Sequence, residues 1–354
     1  MTWWQDFFDA SYLELWGPVL GPERTEWELR GLETLCGGAE GLRIIDVCGG
    51  HGRIARPLAA RGHRVVVLDY ALDMLRHGRA AEHGENVLFV RADARALPML
   101  ACADLALNLF TSIGYFPTLA EHHAMLGGIA RALRPGAALI MDLVHRDFLA
   151  CGMAPQTWYT LADATPVLRT FSFDPISAMA TESVRALYPN GDVHRQWRLR
   201  IFSATEINDA LHDAGFSSTL FFDGYDLGDF AADSPRLLVL AERSGLPPDE
   251  GPTWPSPLTW RNAATLFVCP RNLEALHCAS DAELSQINDA IAHGTLGGQE
   301  ALLPLECVQG AWLREDRRLF YPVREEIPDL LPESAIALPK DFFGERPESP
   351  ANNR

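Results

Sequence analysis

From residue 43 onward, short apolar runs alternate with stretches whose apolar residues recur at helical spacing. The runs at 43–47, 64–68, 87–91, 103–109 and 137–143 are dominated by Ile, Val, Leu and Ala and are bounded by polar or glycine-containing turns, so they predict buried strands. The intervening stretches 53–61, 71–82 and 119–133 predict helices, and Arg134-Pro135-Gly136 stops the last of them before the fifth strand. A further helix at 205–214 ends at Gly215, and strands follow at 217–223 and 236–242. Strand–helix alternation of this kind predicts a parallel, doubly wound sheet with helices on both faces.

The pattern changes outside this block. Residues 1–40 read as a helical cap rich in aromatic side chains, with a second helix over Glu23–Leu35 leading into the first strand. Trp3, Trp4, Phe7, Phe8, Tyr12 and Trp16 are spaced for core packing or for a flap over a ligand pocket, with Tyr12 as its polar tip. Residues 166–202, inside an insertion of about 155–202, read as β-strands, with a hairpin turn at Tyr188-Pro-Asn-Gly-Asp192. An insertion after the fifth strand predicts a β-lid over the carboxyl ends of the sheet, where open α/β folds bind ligands. The Pro/Gly-rich segment 244–257 predicts a linker, 258–340 a small α+β domain, and 341–354 a disordered tail. The main sheet with its lid occupies 41–243.

Composition changes this picture in three ways. The net charge is −17, and from Ser244 onward 17 acidic residues face 9 basic ones, which argues against a nucleic-acid partner. No apolar run reaches the length of a membrane span, and Met1-Thr-Trp-Trp-Gln-Asp6 lacks the form of a signal peptide. The seven cysteines are odd in number and scattered, which fits free thiols in a cytoplasmic setting. The only lysine, Lys340, lies in the Pro-rich tail, so neither a phosphate-binding loop of the Gly-Lys-Ser/Thr type nor a Schiff-base enzyme fits.

The chemistry converges on Arg43-Ile-Ile-Asp-Val-Cys-Gly-Gly-His-Gly-Arg53. A strand ending in an acid and feeding a helix through Gly49, Gly50 and Gly52 lets a ligand approach backbone amides. Asp69 ends the second strand, 19 residues after Gly50, the spacing at which an acid reaches ribose hydroxyls. Asp93 follows the third strand, so three carboxylates face one crevice. A carboxylate ahead of the glycine turn would repel a pyrophosphate but suits a cationic nucleoside such as S-adenosylmethionine.

Ile44–Arg53, Val67-Leu-Asp-Tyr-Ala-Leu-Asp-Met-Leu75, Ala92-Asp-Ala94, Asn108-Leu-Phe-Thr-Ser-Ile-Gly-Tyr-Phe116 and Leu133-Arg-Pro-Gly136 together resemble the motifs of the class I S-adenosylmethionine-dependent methyltransferases, over about residues 20–243. The resemblance implies a Rossmann-like sheet and S-adenosylmethionine as cofactor. It implies methionine contacts at Asp46 and Gly50, cofactor-binding positions at Cys48 and Gly49 in the same turn, and ribose contacts at Asp69. Tyr70 and Met74 follow in the same motif; Asp93 and Ala94 would read the adenine, and Asn108 would supply backbone near the sulfonium. Cys48 departs from the pattern by standing where the family has its first loop glycine.

Methyl transfer is an in-line displacement that needs alignment and exclusion of water more than a dedicated base. Tyr115, Asp142 and His145 lie near the expected ends of the fourth and fifth strands and are the candidate catalytic or acceptor-lining residues. Asn108-Leu-Phe-Thr111 is not the Asn-Pro-Pro-Tyr motif of many amide and exocyclic-amine methyltransferases. The preferred reading is a small-molecule acceptor. In the C-terminal part, Leu276-His-Cys-Ala-Ser-Asp281, Pro304–Gly310 and Arg317–Leu331 resemble a small zinc-ribbon-like family that activates tRNA, rRNA and translation-factor methyltransferases. The paired cysteines of its metal site are absent, which predicts a zinc-free unit packed by Leu276, Leu305, Tyr321, Ile327 and Leu331. Such a unit would support the catalytic domain in cis or mediate a homodimer. A methyltransferase acting on RNA or a translation protein, an NAD-linked oxidoreductase and a non-catalytic nucleoside-binding module are the competing readings.

Overall fold

In the computed structural model, residues 3–5, 7–17, 19–81, 84–150, 156–161, 163–245, 253–296 and 306–344 are described. Parts of the expected linker, the expected tail from 345 onward and the packing position Leu305 lie outside the described residues. The N-terminal part contributes α1 (Ala10–Trp16) and α2 (Pro22–Leu35). The central block runs β1 (Arg43–Val47), α3 (Ala55–Ala60), β2 (Arg64–Asp69), α4 (Leu72–Ala80), β3 (Val87–Arg91), β4 (Ala103–Asn108), α5 (Leu119–Ala132) and β5 (Leu133–Val144). After α6 (Arg146–Ala150) come the inserted strands β6 (Gln156–Thr160), β7 (Pro166–Asp174), β8 (Met179–Ala186) and β9 (Val193–Arg200). The block closes with α7 (Ala204–Ala214), β10 (Phe216–Phe222) and β11 (Arg236–Arg243). The C-terminal part holds α8 (Trp260–Ala263), β12 (Leu276–Cys278), α9 (Asp281–Ala292), β13 (Gly310–Arg314), β14 (Leu319–Arg324), β15 (Ile327–Pro328) and β16 (Ile336–Ala337).

The main sheet has seven strands in the order β10-β11-β5-β4-β1-β2-β3. β1 to β5 are parallel, and β11 enters antiparallel between β5 and β10. The two-residue period of the strands divides their side chains between two cores. Ile44, Val65 and Val67 pack with Leu29, Leu58 and Leu75 of α2, α3 and α4. Their neighbours Ile45, Val66 and Leu68 face the opposite way, in a core that includes Met125 and Ile129 of α5 and Ile207 of α7. Both faces are covered, so the central strands read as continuous apolar runs. The strand order reverses between β1 and β4, and the crevice there lies at the carboxyl ends of the parallel strands.

The insertion forms a four-stranded antiparallel sheet, β6-β7-β8-β9, of which β6 lies before the 166–202 stretch expected as strands. The Asn190-Gly191 turn is longer than a two-residue hairpin, because pairing ends at Ala186 and Val193. Tyr188 leaves the ladder, and its hydroxyl donates to Glu14 of α1 at 3.0 Å. Tyr159 of β6 donates to the Leu15 carbonyl at 2.8 Å, and Arg195 of β9 bonds Asp9 and Ser11. These contacts tie α1 to the lid.

The C-terminal strands form a second antiparallel sheet, β12-β13-β14-β15, with β16 on β14. Trp254, Trp260, Phe267 and Trp312 share one buried core with Val90, Leu97 and Met99 at the β3 side of the main sheet. Arg91 bridges to Asp329 in parallel register, and Leu330 N–H donates to the Arg91 carbonyl at 2.8 Å. The C-terminal part therefore covers the β3 edge that would otherwise present unpaired backbone groups. Leu276, Tyr321, Ile327 and Leu331 are buried as expected. Among the described residues, no three His, Cys, Asp or Glu side chains converge as a metal site, and no helix is long and apolar enough to cross a membrane.

Candidate active site

The strand ends deliver Asp46, Asp69 and Asp93 to one cavity of about 1040 Å³, its open mouth included. Cys48, Gly49, Gly50, Tyr70, Met74 and Ala94 line the same space. Nine of the ten residues expected at the cofactor therefore line this cavity. Asn108 is the exception. Its side chain is fully buried and donates from Nδ2 to the Val47 carbonyl at 3.0 Å, fastening the ends of β4 and β1 together. The next residue, Leu109, reaches the cavity wall instead.

Asp69 is oriented by the backbone. Oδ2 accepts the Gly50 N–H and Oδ1 the Ala71 N–H, each at 2.8 Å, so the carboxylate is fixed at the rim of the glycine turn. Burial pushes its pKa up to about 6 against the lowering by these amides. Asp46 is almost completely buried, and desolvation, reinforced by the Asp69 charge and opposed by Arg53, raises it to about 7. Both acids are poised to answer a cation. Asp93 accepts the Arg95 N–H at 2.8 Å and pairs with the Arg95 guanidinium at 2.6 Å. That guanidinium lies 5.3 Å from the rings of both Trp4 and Phe116, so it is held between two aromatic walls.

The backbone of Cys48 is left-handed, with φ +62°, while its N–H donates to the Leu68 carbonyl at 2.7 Å. A glycine would adopt this conformation at no steric cost; a β-carbon there costs about 1–2 kcal/mol. Desolvation and the charges of Asp69, Asp93 and Asp46 push the thiol well above its ordinary range, so it is a protonated wall residue and not a nucleophile. His51 lines the cavity too, but desolvation and nearby Arg56 lower it to about 4, which leaves it neutral.

The N-terminal segment roofs this space. Trp4 meets Tyr70 edge-on at 4.9 Å, Gln5 Nε2 donates to the Tyr70 hydroxyl at 3.1 Å, and Trp3 meets Tyr115 at 5.2 Å. The aromatic spacing at residues 3–16 thus does both things at once, core packing and covering a pocket.

A second cavity of about 940 Å³, open space included, lies between α1, α2, the lid and the end of β5. It shares Phe8, Tyr12, Phe110 and Tyr115 with the first. Tyr115 is therefore a boundary residue, and desolvation raises its phenol well above the ordinary value, so it stays neutral. Phe110 and Thr111 both have left-handed backbones, with φ +58° and +63°, in the loop that forms this boundary. Thr111 is held there by its N–H to the Asp142 carbonyl at 2.8 Å and by the Val144 N–H to its Oγ1 at 3.0 Å. Backbone strain fixed from outside in this way is a feature of functional loops.

Of the three candidate catalytic residues, only Tyr115 reaches either cavity. His145 is buried beside them, with Nδ1 2.9 Å from the Ser234 carbonyl and its ring 4.8 Å from Phe230. Asp142 is buried behind Arg236 and accepts its Nε–H at 2.8 Å, so it acts on the second cavity only through that arginine. Arg24, Arg169, Glu182 and Arg236 line the second cavity and were not singled out from sequence. Glu182 could have been: Ala180, Glu182 and Val184 alternate along β8, so an acid falls at an inward position between two buried apolar residues. Arg169 stands opposite and pairs with it.

The first cavity fits a cationic nucleoside by the chemistry of its walls. It offers acids for an ammonium and a diol, a glycine turn with no room for a side chain at Gly49, and apolar faces from Met74 and Phe116. The second offers an adjoining space for another reactant. Comparison with known proteins agrees. The methyltransferase-domain family matches residues 44–136. A demethylmenaquinone methyltransferase of Renibacterium salmoninarum is 32% identical over 194 residues, covering 53% of this chain and 77% of the relative. A tRNA 5-carboxymethoxyuridine methyltransferase of Escherichia coli is 27% identical over 36% of this chain and 55% of its own length. Among solved structures, an S-adenosylmethionine-dependent methyltransferase from Clostridium acetobutylicum has a TM-score of 0.57 at 13% identity, over 67% of this chain and 98% of that one. The CcbJ methyltransferase of Streptomyces caelestis has a TM-score of 0.55 at 18% identity, over 62% of this chain and 90% of that one. The chain belongs to the class I S-adenosylmethionine-dependent methyltransferases, and it is an enzyme of that class.

Proposed function

We propose that the protein methylates a small molecule, with the donor in the acid-lined cavity and the acceptor in the adjoining one. The observation that carries this reading is the shared boundary of Phe8, Tyr12, Phe110 and Tyr115 between two cavities that are roofed by the N-terminal segment and the lid. A covered pocket of this size suits a metabolite better than a helix of RNA. The demethylmenaquinone methyltransferase relative, whose name gives a small acceptor, supports the same reading.

Bound S-adenosylmethionine would supply an electrophilic methyl group on a sulfonium whose leaving group is the neutral thioether S-adenosylhomocysteine. Asp69 would hold the ribose hydroxyls, Asp46 the ammonium, Arg53 the carboxylate, and Asp93 with Ala94 the adenine edge. Trp3, Trp4 and Phe8 exclude water from the boundary. Tyr115 orients the acceptor as a neutral hydrogen-bonding phenol. Asp142 positions Arg236, and His145 anchors the end of β5. Glu182, raised by burial and partnered by Arg169, is the carboxylate among the described residues lining the acceptor cavity and would accept a proton there. The C-terminal part is inferred to brace the donor cavity in cis through Arg91, which donates to the Tyr70 carbonyl at 3.0 Å.

The tRNA methyltransferase relative favours a second reading, an RNA acceptor, which the −17 net charge opposes. Incubation of the protein with S-adenosylmethionine labelled in the methyl group and a fractionated cell extract separates the two. Label in the small-molecule fraction supports the proposal; label retained in bulk RNA or protein overturns it.

A further inference from the structure

We propose that the acceptor is a small organic acid, an apolar or aromatic body bearing one anionic group that docks on Arg24. This deepens the reading of the second cavity as the acceptor site and rests on it. The observation behind it is an imbalance of charge among the ion pairs around that cavity, whose carboxylates are largely buried and whose arginines are partly exposed.

Two of its three arginines are matched one to one. Arg236 is paired with Asp142, and Arg169 with Glu182. The third is not. Arg24 Nε donates to Glu28 Oε1 at 2.7 Å and Arg53 Nη2 lies 2.6 Å from Oε2 as an ion pair, so one buried carboxylate is shared by two guanidinium groups. Arg53 faces the first cavity and does not line the second. Arg24 faces only the second cavity, stacked 5.4 Å from the Phe110 ring. Among the described residues it has no other hydrogen bond or ion pair.

A guanidinium that lines a cavity and shares its one carboxylate with a second arginine is a site for an anion. With Nε committed to Glu28, the terminal nitrogens present a planar fork, the geometry that suits carboxylate and phosphate oxygens. The chain as a whole repels anions, because its net charge is −17. A local positive excess inside an acidic protein therefore selects one anionic group at one place. The rest of the ligand must be apolar, since Phe7, Trp16, Phe171, Leu199 and Trp197 form much of the remaining wall.

The probes are 1-naphthoate, the isosteric but neutral 1-naphthamide, and 1-naphthyl phosphate, each titrated into the full chain saturated with S-adenosylhomocysteine. Trp16 and Trp197 in the cavity wall supply a fluorescence signal. The expected result is at least a tenfold preference for naphthoate over naphthamide, abolished in Arg24→Gln and largely restored in Arg24→Lys. Naphthyl phosphate binding tighter than naphthoate assigns the anion to a phosphoryl group and also requires loss in Arg24→Gln. Equal binding of acid and amide, binding of none of the three, or a preference that survives Arg24→Gln overturns the proposal. S-adenosylhomocysteine affinity is measured first on the same samples, so that each variant is titrated at saturation. Its absence in the unmutated protein would instead sink the underlying assignment of the two cavities.

Discussion

The α-carbon of Gly49 stands so close to the Asp46 side chain that a β-carbon there would lie 2.5 Å from the carboxyl carbon. Gly49 is a glycine because Asp46 is where it is, since its own backbone does not need a positive φ. Gly49→Ala would have to displace the carboxylate or the turn. The expected outcome is a loss of about 1–3 kcal/mol in S-adenosylhomocysteine affinity by calorimetry, the usual range for overpacking a tight site. Affinity within twofold of the unmutated protein would mean that Asp46 does not touch the ligand.

Asp46 and Asp69 are raised from an ordinary 3.8 to about 7 and about 6. Their folded pKa values exceed the unfolded ones, so the folded chain binds more protons between about pH 4 and pH 7. Their contribution to stability is fully present below pH 4 and is lost as the pH rises through this window. The ligand-free protein should therefore lose stability from these two acids between pH 5 and pH 7.5. S-adenosylmethionine affinity should rise over the same range, because its cation needs the ionised forms. Thermal melts and calorimetry at four or five pH values test both trends; parallel trends would contradict the account.

Cys48 carries a side chain at φ +62°. Cys48→Gly removes that strain but frees the unfolded chain, and the strain term is the larger, so the melting temperature should rise, with a gain of about 1 kcal/mol. Ligand affinity should be retained. A fall in melting temperature would show that the thiol contributes packing that outweighs the backbone cost.

Arg91 and Asp329 form a buried ion pair at 3.1 Å that joins the C-terminal part to the edge of the main sheet. Asp329→Asn leaves the guanidinium without its counter-charge, a loss typically of about 3–5 kcal/mol. Arg91 also supports Tyr70, so the KM for S-adenosylmethionine should rise more than kcat falls. A variant that melts lower with an unchanged KM would confine the C-terminal part to a stabilising role.

The central sheet was legible because both of its faces are buried, which makes apolar runs such as Val65–Leu68 unambiguous. Nine residues of the first cavity could be named from sequence because they lie in short motifs at strand ends, where fold and position coincide. The second cavity had no such signal. Arg24, Glu182 and Arg236 come from α2, β8 and β11 and meet only through tertiary packing. His145 and Asp142 sit at the right strand end but turn into the protein, a matter of side-chain direction that strand spacing alone does not settle. The strained backbone at Phe110 and Thr111 had no signal either, since neither residue type prefers a left-handed conformation.

The most direct test is calorimetric titration of S-adenosylhomocysteine and of NAD into the unmutated protein and into Asp69→Ala. The account predicts selective, stoichiometric binding of S-adenosylhomocysteine, weakened by about 1–3 kcal/mol in Asp69→Ala as ribose hydroxyls lose their buried partner. Selective binding of NAD, or S-adenosylhomocysteine affinity unchanged by Asp69→Ala, would contradict it.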